Sequence, residues 1–198
     1  MPFESNQVLF EAGGYRAIEL VSCDIPIIQT FFENNPEYFL ASEGCPPAIN
    51  QAKEEFDSEL PEGWAFTSKR AIGFVDSSKE LAAFATFVSD LFVDGVWHIG
   101  LFILSTDKHG QAVARYLYQD LENWFKASGA KWLRLGVIAG NVRAERFWER
   151  NGYHEARRRH GIMMRNATHT VRVMIKPIGE AGLSEYLSLV SRDRPDTP

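Results

Sequence analysis

The sequence predicts a single mixed α/β domain, and three observations support this fold class. The 198 residues suit one domain, and 45% of them are hydrophobic, which is ordinary for a globular protein. Short apolar segments of strand-like composition alternate with amphipathic stretches of helical spacing. A strand, a helix and a strand follow one another between Val96 and Ile138, which predicts a parallel pair with a right-handed crossover. We expect a mixed sheet of about seven strands flanked by about four helices.

The N-terminal part predicts one strand and two helices. A strand is expected from Tyr15 to Val21. Asp24 is a suitable N-cap and Pro26 is tolerated in a first turn, so a helix should follow. The Asn-Asn-Pro sequence that begins at Asn34 ends it, and Pro46 to Leu60 predicts a second helix.

The middle of the chain predicts a meander of three strands. Lys69 to Val75 and Leu81 to Val88 flank a polar turn, which is a hairpin signal. A strand from Val96 to Leu104 follows the turn at Asp94-Gly95. Neighbouring strands in this order are expected to pair antiparallel.

A long helix follows the meander. Apolar side chains recur at helical spacing from about Gln111 to Ser128, and Gly129 is a plausible C-cap. Lys131 to Ile138 predicts a short apolar strand. Asn141 caps a further helix that ends at Asn151-Gly152.

The last strands are expected from His154 to Met163 and from Thr168 to Lys176. Residues from Ile178 on predict a short helix and a tail. We interpret residues 179–198 as a C-terminal extension of the single domain 1–198, mobile from Arg192 to Pro198.

The charge balance argues against a nucleic-acid partner. The formal net charge is −5 at pH 7, whereas duplex-binding domains usually carry a basic excess to neutralise phosphates. The dense basic run Arg157-Arg158-Arg159-His160 is interpreted as a solvated strand face or turn. A patch that contacts phosphate or an acidic substrate is the alternative.

Cysteine usage and hydropathy indicate a reducing, cytoplasmic location. Cys23 and Cys45 are too few for a disulfide framework, and neither lies in a metal-ligand spacing such as C-x-x-C. The N-terminus shows no signal-peptide pattern, and no apolar run approaches the ~18 residues of a membrane span. We therefore expect no membrane partner.

The loop Asp107-Lys108-His109-Gly110-Gln111-Ala112 joins a strand to the long helix. Small residues let a ligand approach the backbone, and the first amides of a helix point outward without internal partners. With Lys108 and His109 adding positive charge, the loop predicts an anion site suited to a pyrophosphate. An ordinary strand-to-helix turn with a glycine is the alternative, since neither G-K-[ST] nor G-x-G-x-x-G is present.

The segment Asn141 to Tyr153 is a capped helix closed by a glycine, and it follows an apolar strand directly. Phe147 and Trp148 could face a ligand or could simply belong to the core. In the second interpretation Asn141 is only a cap.

Together, in this order and at this separation, the two segments resemble the cofactor half of the GNAT acetyltransferases. The family's loop pattern, roughly Q/R-x-x-G-x-G/A, aligns with His109 to Ala114. Its later pattern, roughly N-x-x-A-x-x-hydrophobic-Y-x-x-x-G-F/Y, is matched by Asn141, Ala144, Phe147, Gly152 and Tyr153. The resemblance covers about Leu81 to Lys176.

Three positions depart from the family pattern. His109 stands where the family usually has arginine or glutamine, and Ala112 stands at its usual first glycine, which is tolerable if the φ of Ala112 is negative. Trp148 stands where many relatives hold a tyrosine that protonates the leaving thiolate. An indole N–H is not a usable acid, so Trp148 would only shape the acyl pocket.

The resemblance implies acetyl-CoA as cofactor, with CoA as product. The strands that contain residues 97–105 and 131–138 should splay apart, with the pantetheine arm between them and the pyrophosphate on the loop amides. The residues expected to bind the cofactor are Leu101, Phe102, Ile103, Lys108, His109, Gly110, Gln111, Ala112, Val113, Ala114, Asn141, Ala144 and Phe147.

Acyl transfer needs a base for the amine proton and a donor for the developing oxyanion. A backbone N–H near Leu101 or Phe102 is the candidate donor. His98 is the candidate base because its reference pKa of about 6.5 lies near working pH. Glu37 and Tyr38 are its rivals, and a water or no protein group is the remaining alternative.

The expected catalytic residues are thus His98, Asn141 and Trp148, and the expected substrate-binding residues are Phe32, Glu37 and Tyr38. The implied function is transfer of an acetyl or similar acyl group from acetyl-CoA to an amine by direct attack, in a monomer or homodimer. A catalytically silent acyl-CoA-binding sensor or interaction module is the main alternative, supported by the loss of the tyrosine. Another α/β nucleotide binder is disfavoured because no acidic ribose ligand is found at the right place.

Overall fold

The computed structural model describes Phe3, residues 5–195 and Thr197, and all counts below refer to these residues. The strands are β1 (Val8–Ala12), β2 (Tyr15–Leu20), β3 (Ser68–Val75), β4 (Leu81–Ser89), β5 (Val96–Leu104), β6 (Trp132–Ile138), β7 (His154–Met164) and β8 (Ala167–Pro177). The helices are α1 (Ile25–Asn34), α2 (Glu37–Glu43), α3 (Gln51–Asp57), α4 (Val113–Ala127), α5 (Val142–Arg150) and α6 (Leu183–Leu189). None of these helices is long and apolar enough to cross a membrane.

The described strands form one sheet in the order β1-β2-β3-β4-β5-β6-β8-β7, with β5 and β6 parallel and the other neighbours antiparallel. The predicted mixed α/β class is confirmed. The sheet has eight strands where about seven were expected, and six α-helices flank it where about four were expected. The missing strand is β1, which pairs with β2 across the turn at Gly13 and Gly14, where both φ angles are positive.

The first two predicted helices need correction. Asp24 does not cap α1 with its side chain; its buried carboxylate accepts hydrogen bonds from Val21 N at 2.8 Å and Asn6 Nδ2 at 2.7 Å. The segment that carries Glu37 and Tyr38, for which no helix was predicted, forms α2. The next helix, α3, is shorter than the predicted Pro46 to Leu60.

The sheet opens at its centre, as the family resemblance implies. The parallel pairing of β5 and β6 runs from Val96 opposite Trp132 to Ile99 opposite Leu135. Beyond this point β5 stays paired with β4, and β6 stays paired with β8. The later residues of β5 and β6 therefore face a gap.

A bulge lies on β5 at the start of this gap. Thr86 pairs with Leu101 and Phe87 pairs with Ile99, so Gly100 is the extra residue. A Cβ atom on Gly100 would lie 2.9 Å from Thr86 Oγ1, which explains why a glycine stands here.

The two larger hydrophobic clusters of the described residues lie on the two faces of the sheet. One contains Leu117, Leu121 and Phe125 of α4 together with Trp148 of α5. The other contains Phe32 and neighbouring residues of α1, α2 and α3. The helices that carry the predicted cofactor segments and those that carry the predicted substrate residues thus lie on opposite faces.

The C-terminal extension packs against the sheet instead of fraying from Arg192 on. Asp193 is fully buried and accepts two hydrogen bonds from Arg134 of β6, from Nε at 2.7 Å and from Nη2 at 3.1 Å. Tyr186 Oη of α6 also donates to this carboxylate. The predicted mobility is therefore wrong at residue 193, while residues 196 and 198 of that segment lie outside the described residues.

Candidate active site

A cleft of about 1250 Å³ opens at the gap between β5 and β6, and we call it the basic cleft. Its walls come from the end of β5, the loop before α4 with the start of that helix, the length of α5, and α2. Among the residues expected to bind the cofactor, those that line it are Phe102, Ile103, Lys108, His109, Gly110, Ala112, Val113, Ala114, Asn141, Ala144 and Phe147.

Two residues expected in this set lie elsewhere. Gln111 Nε2 donates to the Asp107 carbonyl at 2.9 Å and does not line the cleft. Leu101 faces a second cavity, and its N–H donates to Thr86 Oγ1 at 3.1 Å. Phe102 therefore remains the candidate oxyanion donor of the two.

The loop before α4 has an unusual backbone. Gly110 has a φ of 77°, and Ala112, directly before the helix, has a φ of 61°. The condition of a negative φ at Ala112 is not met, and an alanine adopts this left-handed conformation only at a cost. No described residue accepts a hydrogen bond from the backbone amides of residues 110–114. These N–H groups are free to bind an anion at the positive end of the helix dipole.

The cleft is rich in positive charge although the chain carries a net charge of −5. The strongly basic residues on its wall are Lys108, Arg115, Arg143, Arg146 and Arg150. Among the described residues that line it, Glu37 is the acidic one. Low-dielectric walls with one sign of charge focus the field, so the cleft should attract an anionic ligand.

Glu37, which was expected to bind the substrate, lies on the wall of the basic cleft. Its Oε2 lies 3.6 Å from His109 Nδ1 and 3.6 Å from Arg143 Nη1. His109 is further held by its Nε2, 3.1 Å from the Leu104 carbonyl. Glu37 thus links the loop before α4 to the first turn of α5.

Aromatic rings form the inner wall of the basic cleft. Phe102 stacks on Phe147 with ring centroids 6.0 Å apart. Trp148 lines the cleft but is only 8% exposed, because it packs edge-on against Tyr118 at 5.1 Å. Asn141 also lines the cleft, and its Oδ1 accepts a hydrogen bond from Ala144 N at 3.2 Å, so the predicted N-cap is confirmed.

The geometry of His98 argues against its predicted role as base. Its Nδ1 lies 3.2 Å from Arg134 Nη1, so the arginine donates to the lone pair that a base would need. Burial of the ring, followed by the positive charge of Arg134, lowers the pKa of His98 to about 3. His98 lines neither of the two cavities.

The second cavity has a volume of about 280 Å³, and we call it the acidic pocket. It lies on the α1–α3 side of the sheet, next to Leu101 at the bulge of β5. Its lining consists of Phe32, Tyr38, Phe39, Ser42, Glu43, Gln51, Glu55, Leu101, Met164 and Arg165. Tyr38 lines both cavities, so the two meet beside this ring. Burial, and then the charges of Glu55 and Glu43, raise the pKa of Tyr38 and keep its hydroxyl protonated.

Sequence reasoning missed the two carboxylates of the acidic pocket and the arginines of the basic cleft. In the sequence, Glu43 and Glu55 look like solvent-exposed acidic residues, and their separation matches no known motif. The arginines Arg143, Arg146 and Arg150 recur at steps of three and four along α5, which was the available signal. Within the described ranges, no cluster of His, Cys, Asp or Glu could hold a metal ion.

Comparisons with known proteins agree with this architecture. The sequence model of the acetyltransferase (GNAT) family matches residues 29–153. No curated protein sequence matches the chain.

Solved structures with a similar fold include two N-acetyltransferases. The ribosomal-protein-S18-alanine N-acetyltransferase of Escherichia coli shares 20% identity over 85% of this chain and 97% of its own, with a TM-score of 0.61. The spermidine N-acetyltransferase of Vibrio cholerae, solved with CoA and spermine, shares 17% identity over 88% of this chain and 98% of its own, with a TM-score of 0.62. The family match spans well over half of the chain, and the chain therefore belongs to the GNAT acetyltransferase family.

Proposed function

We propose that the protein transfers an acetyl group from acetyl-CoA to an amine by direct attack. The observation that carries this proposal is the row of unpartnered amides at residues 110–114, placed at the mouth of a basic cleft in a splayed sheet. CoA is a polyanion with a pyrophosphate near its middle, and this arrangement matches it. Both N-acetyltransferases named above have amine acceptors in their names.

In this proposal the chain's own residues bind and orient. The amides of residues 110–114 hold the pyrophosphate, and the arginines of α5 add charge around the phosphates. The edge of β5 at Phe102 and Ile103 offers backbone groups to the pantetheine arm, since the gap leaves that edge without a partner strand. When bound, acetyl-CoA supplies an activated thioester, and the aromatic wall of Phe147 and Trp148 excludes water from it.

The acidic pocket favours an enzyme over a catalytically silent acyl-CoA-binding module. It meets the basic cleft beside Tyr38, so a second reactant could approach the thioester from the opposite face of the sheet. The loss of the family tyrosine at Trp148 removes one acid but not this second pocket. The leaving thiolate of CoA can take its proton from water instead.

The proposal is tested by calorimetric titration with CoA. We expect wild-type protein to bind CoA at micromolar concentration, with affinity that falls as salt screens the basic cleft. Gly110→Val should weaken binding at least tenfold, because a β-branched residue cannot adopt the φ of 77° and the amides would turn away.

The matched control is Gly63→Val. Gly63 has a φ of 80° in a turn outside both cavities, so this variant carries the same backbone strain. Equal loss of CoA affinity in the two variants, or no affinity in the wild type at high micromolar CoA, contradicts the proposal.

A further inference from the structure

Glu55 of α3 faces the acidic pocket and is tied to the bulge of β5 by a short chain of hydrogen bonds. Leu101 N donates to Thr86 Oγ1 at 3.1 Å, and Thr86 Oγ1 donates to Glu55 Oε1 at 3.2 Å. The next residue along β5, Phe102, lines the basic cleft. The carboxylate is therefore held close to the point where the two cavities meet.

The Glu55 carboxylate has no cationic partner at ion-pair distance among the described residues. Lys69 lies nearby, but its Nζ binds backbone carbonyls, that of Glu55 at 2.5 Å and that of Ser58 at 2.9 Å. Glu43, the other carboxylate of the pocket, has Arg165 Nε at 2.6 Å. A partly buried carboxylate without a cation is unusual, and a ligand cation would complete it.

Burial makes Glu55 a stronger base than an ordinary glutamate. Burial raises its pKa, the charge of Lys69 and the hydrogen bond from Thr86 lower it, and the charge of Glu43 raises it again, with a net upward shift. Tyr38 also faces the pocket and stays neutral. A base works best when its pKa lies closer to the working pH.

The pocket admits a small molecule. Its volume of about 280 Å³ lies just below the ~300–1,000 Å³ of common ligand sites, which suits a small ligand. The β7–β8 hairpin closes over it: Arg165 pairs with Glu43 and Glu54, and Asn166 N donates to the Glu43 carbonyl at 3.2 Å. Aromatic rings, chiefly Phe32 and Phe39, form the remaining wall.

We infer that the acceptor is a small primary amine bound as its ammonium ion in the acidic pocket, and that Glu55 removes its proton. This inference rests on the proposed function. One ammonium proton passes to the Glu55 carboxylate, and the freed nitrogen lone pair forms a bond to the thioester carbonyl carbon. The carbon–sulfur bond breaks, the nitrogen loses a second proton as the amide forms, and the sulfur gains one to become the CoA thiol. Glu55 then returns its proton to water, so one proton is released per turnover.

The first test compares Glu55→Gln with Glu59→Gln, an exposed glutamate just beyond α3. Release of CoA thiol is measured across pH with acetyl-CoA and four probes: ethanolamine, putrescine, tyramine and a hexapeptide that begins with alanine. We expect kcat/KM with the small amines to fall 10²–10⁴-fold in Glu55→Gln. The rise of kcat/KM with pH that reflects ionisation of Glu55 should also disappear in this variant. Affinity for acetyl-CoA should be unchanged, and Glu59→Gln should behave as wild type.

A second measurement does not depend on turnover. In protein labelled with carbon-13 at glutamate carboxyls and saturated with CoA, the resonance missing from Glu55→Gln identifies the group. Its titration midpoint should lie above that of ordinary glutamates and should fall when a small probe amine is added, because the ammonium favours the charged carboxylate.

The inference is overturned if Glu55→Gln keeps the rate and the pH dependence of kcat/KM of the wild type. It is also overturned if no probe amine changes the titration midpoint of the Glu55 carboxylate, or if the hexapeptide reacts at least as well as the small amines. A wild type that binds no CoA overturns the proposed function and this inference with it. If the wild type binds CoA but one of the first three results is found, the inference about Glu55 and the acceptor is wrong while the proposed function stands.

Discussion

At the scale of single residues, Ala112 combines a strained backbone with a place in the basic cleft. Its φ of 61° costs an L-residue about 1–2 kcal/mol, whereas glycine adopts it freely. Part of the gain from a glycine is offset by about 0.4–1 kcal/mol, because glycine also loosens the unfolded chain. We expect Ala112→Gly to raise the free energy of unfolding by up to about 1 kcal/mol, measured by urea denaturation.

The control for this prediction is Ala127→Gly at the exposed end of the same helix, α4. There the backbone is helical, so a glycine should destabilise by up to about 1 kcal/mol. A loss of stability in both variants would mean that the alanine at position 112 is not strained.

At the scale of elements, the turn after α6 is tied to β6 by the buried pair of Asp193 and Arg134. Arg159 and Arg192 also crowd around this carboxylate, Arg159 Nη2 at 3.7 Å. Burial alone would raise the pKa of Asp193, but the hydrogen bonds and charge of Arg134 outweigh it, so the pKa is lowered. A lowered carboxylate pKa stabilises the folded state above the unfolded value of about 3.9, and this stability is lost as pH falls through the folded pKa.

We therefore expect Asp193→Asn to cost about 3–5 kcal/mol near neutral pH, because it leaves Arg134 buried without its counter-charge. Unfolding by denaturant at several pH values measures this, and the deficit should shrink in acid. Asp94→Asn is the control, since its pair with Lys131 is exposed and should contribute no more than about 1 kcal/mol. A similar small effect in both variants would show that the turn does not depend on the pair.

At the scale of the whole molecule, the sequence predicted the half of the fold whose signals are local. The long helix α4, the capped helix α5 and the strands around them follow from hydrophobic periodicity, an asparagine cap and glycine stops. The helix α2 was missed because its seven residues are too few for a periodic signal, and β1 was missed because a five-residue edge strand carries little pattern.

The candidate site was predictable where it depends on one continuous segment and not where distant segments meet. The loop before α4 and the cap at Asn141 were found in this way. Arg134 and Asp193 are 59 residues apart, so no local sequence pattern predicts that they pair. His98 was assigned to the wrong environment because the side on which a strand residue faces depends on register, and β5 carries a bulge just after it.

The opening between β5 and β6 has a consequence for hydrogen exchange. Each strand keeps one hydrogen-bonded neighbour there and turns its other edge to the gap, so its N–H groups on that edge are open to solvent. An extended arm with its own amide groups can occupy such an edge much as a peptide adds to a sheet. Addition of CoA should therefore slow deuterium uptake at residues 102–104 far more than at β2, which is paired on both sides. Uniform slowing would instead indicate a general tightening of the fold.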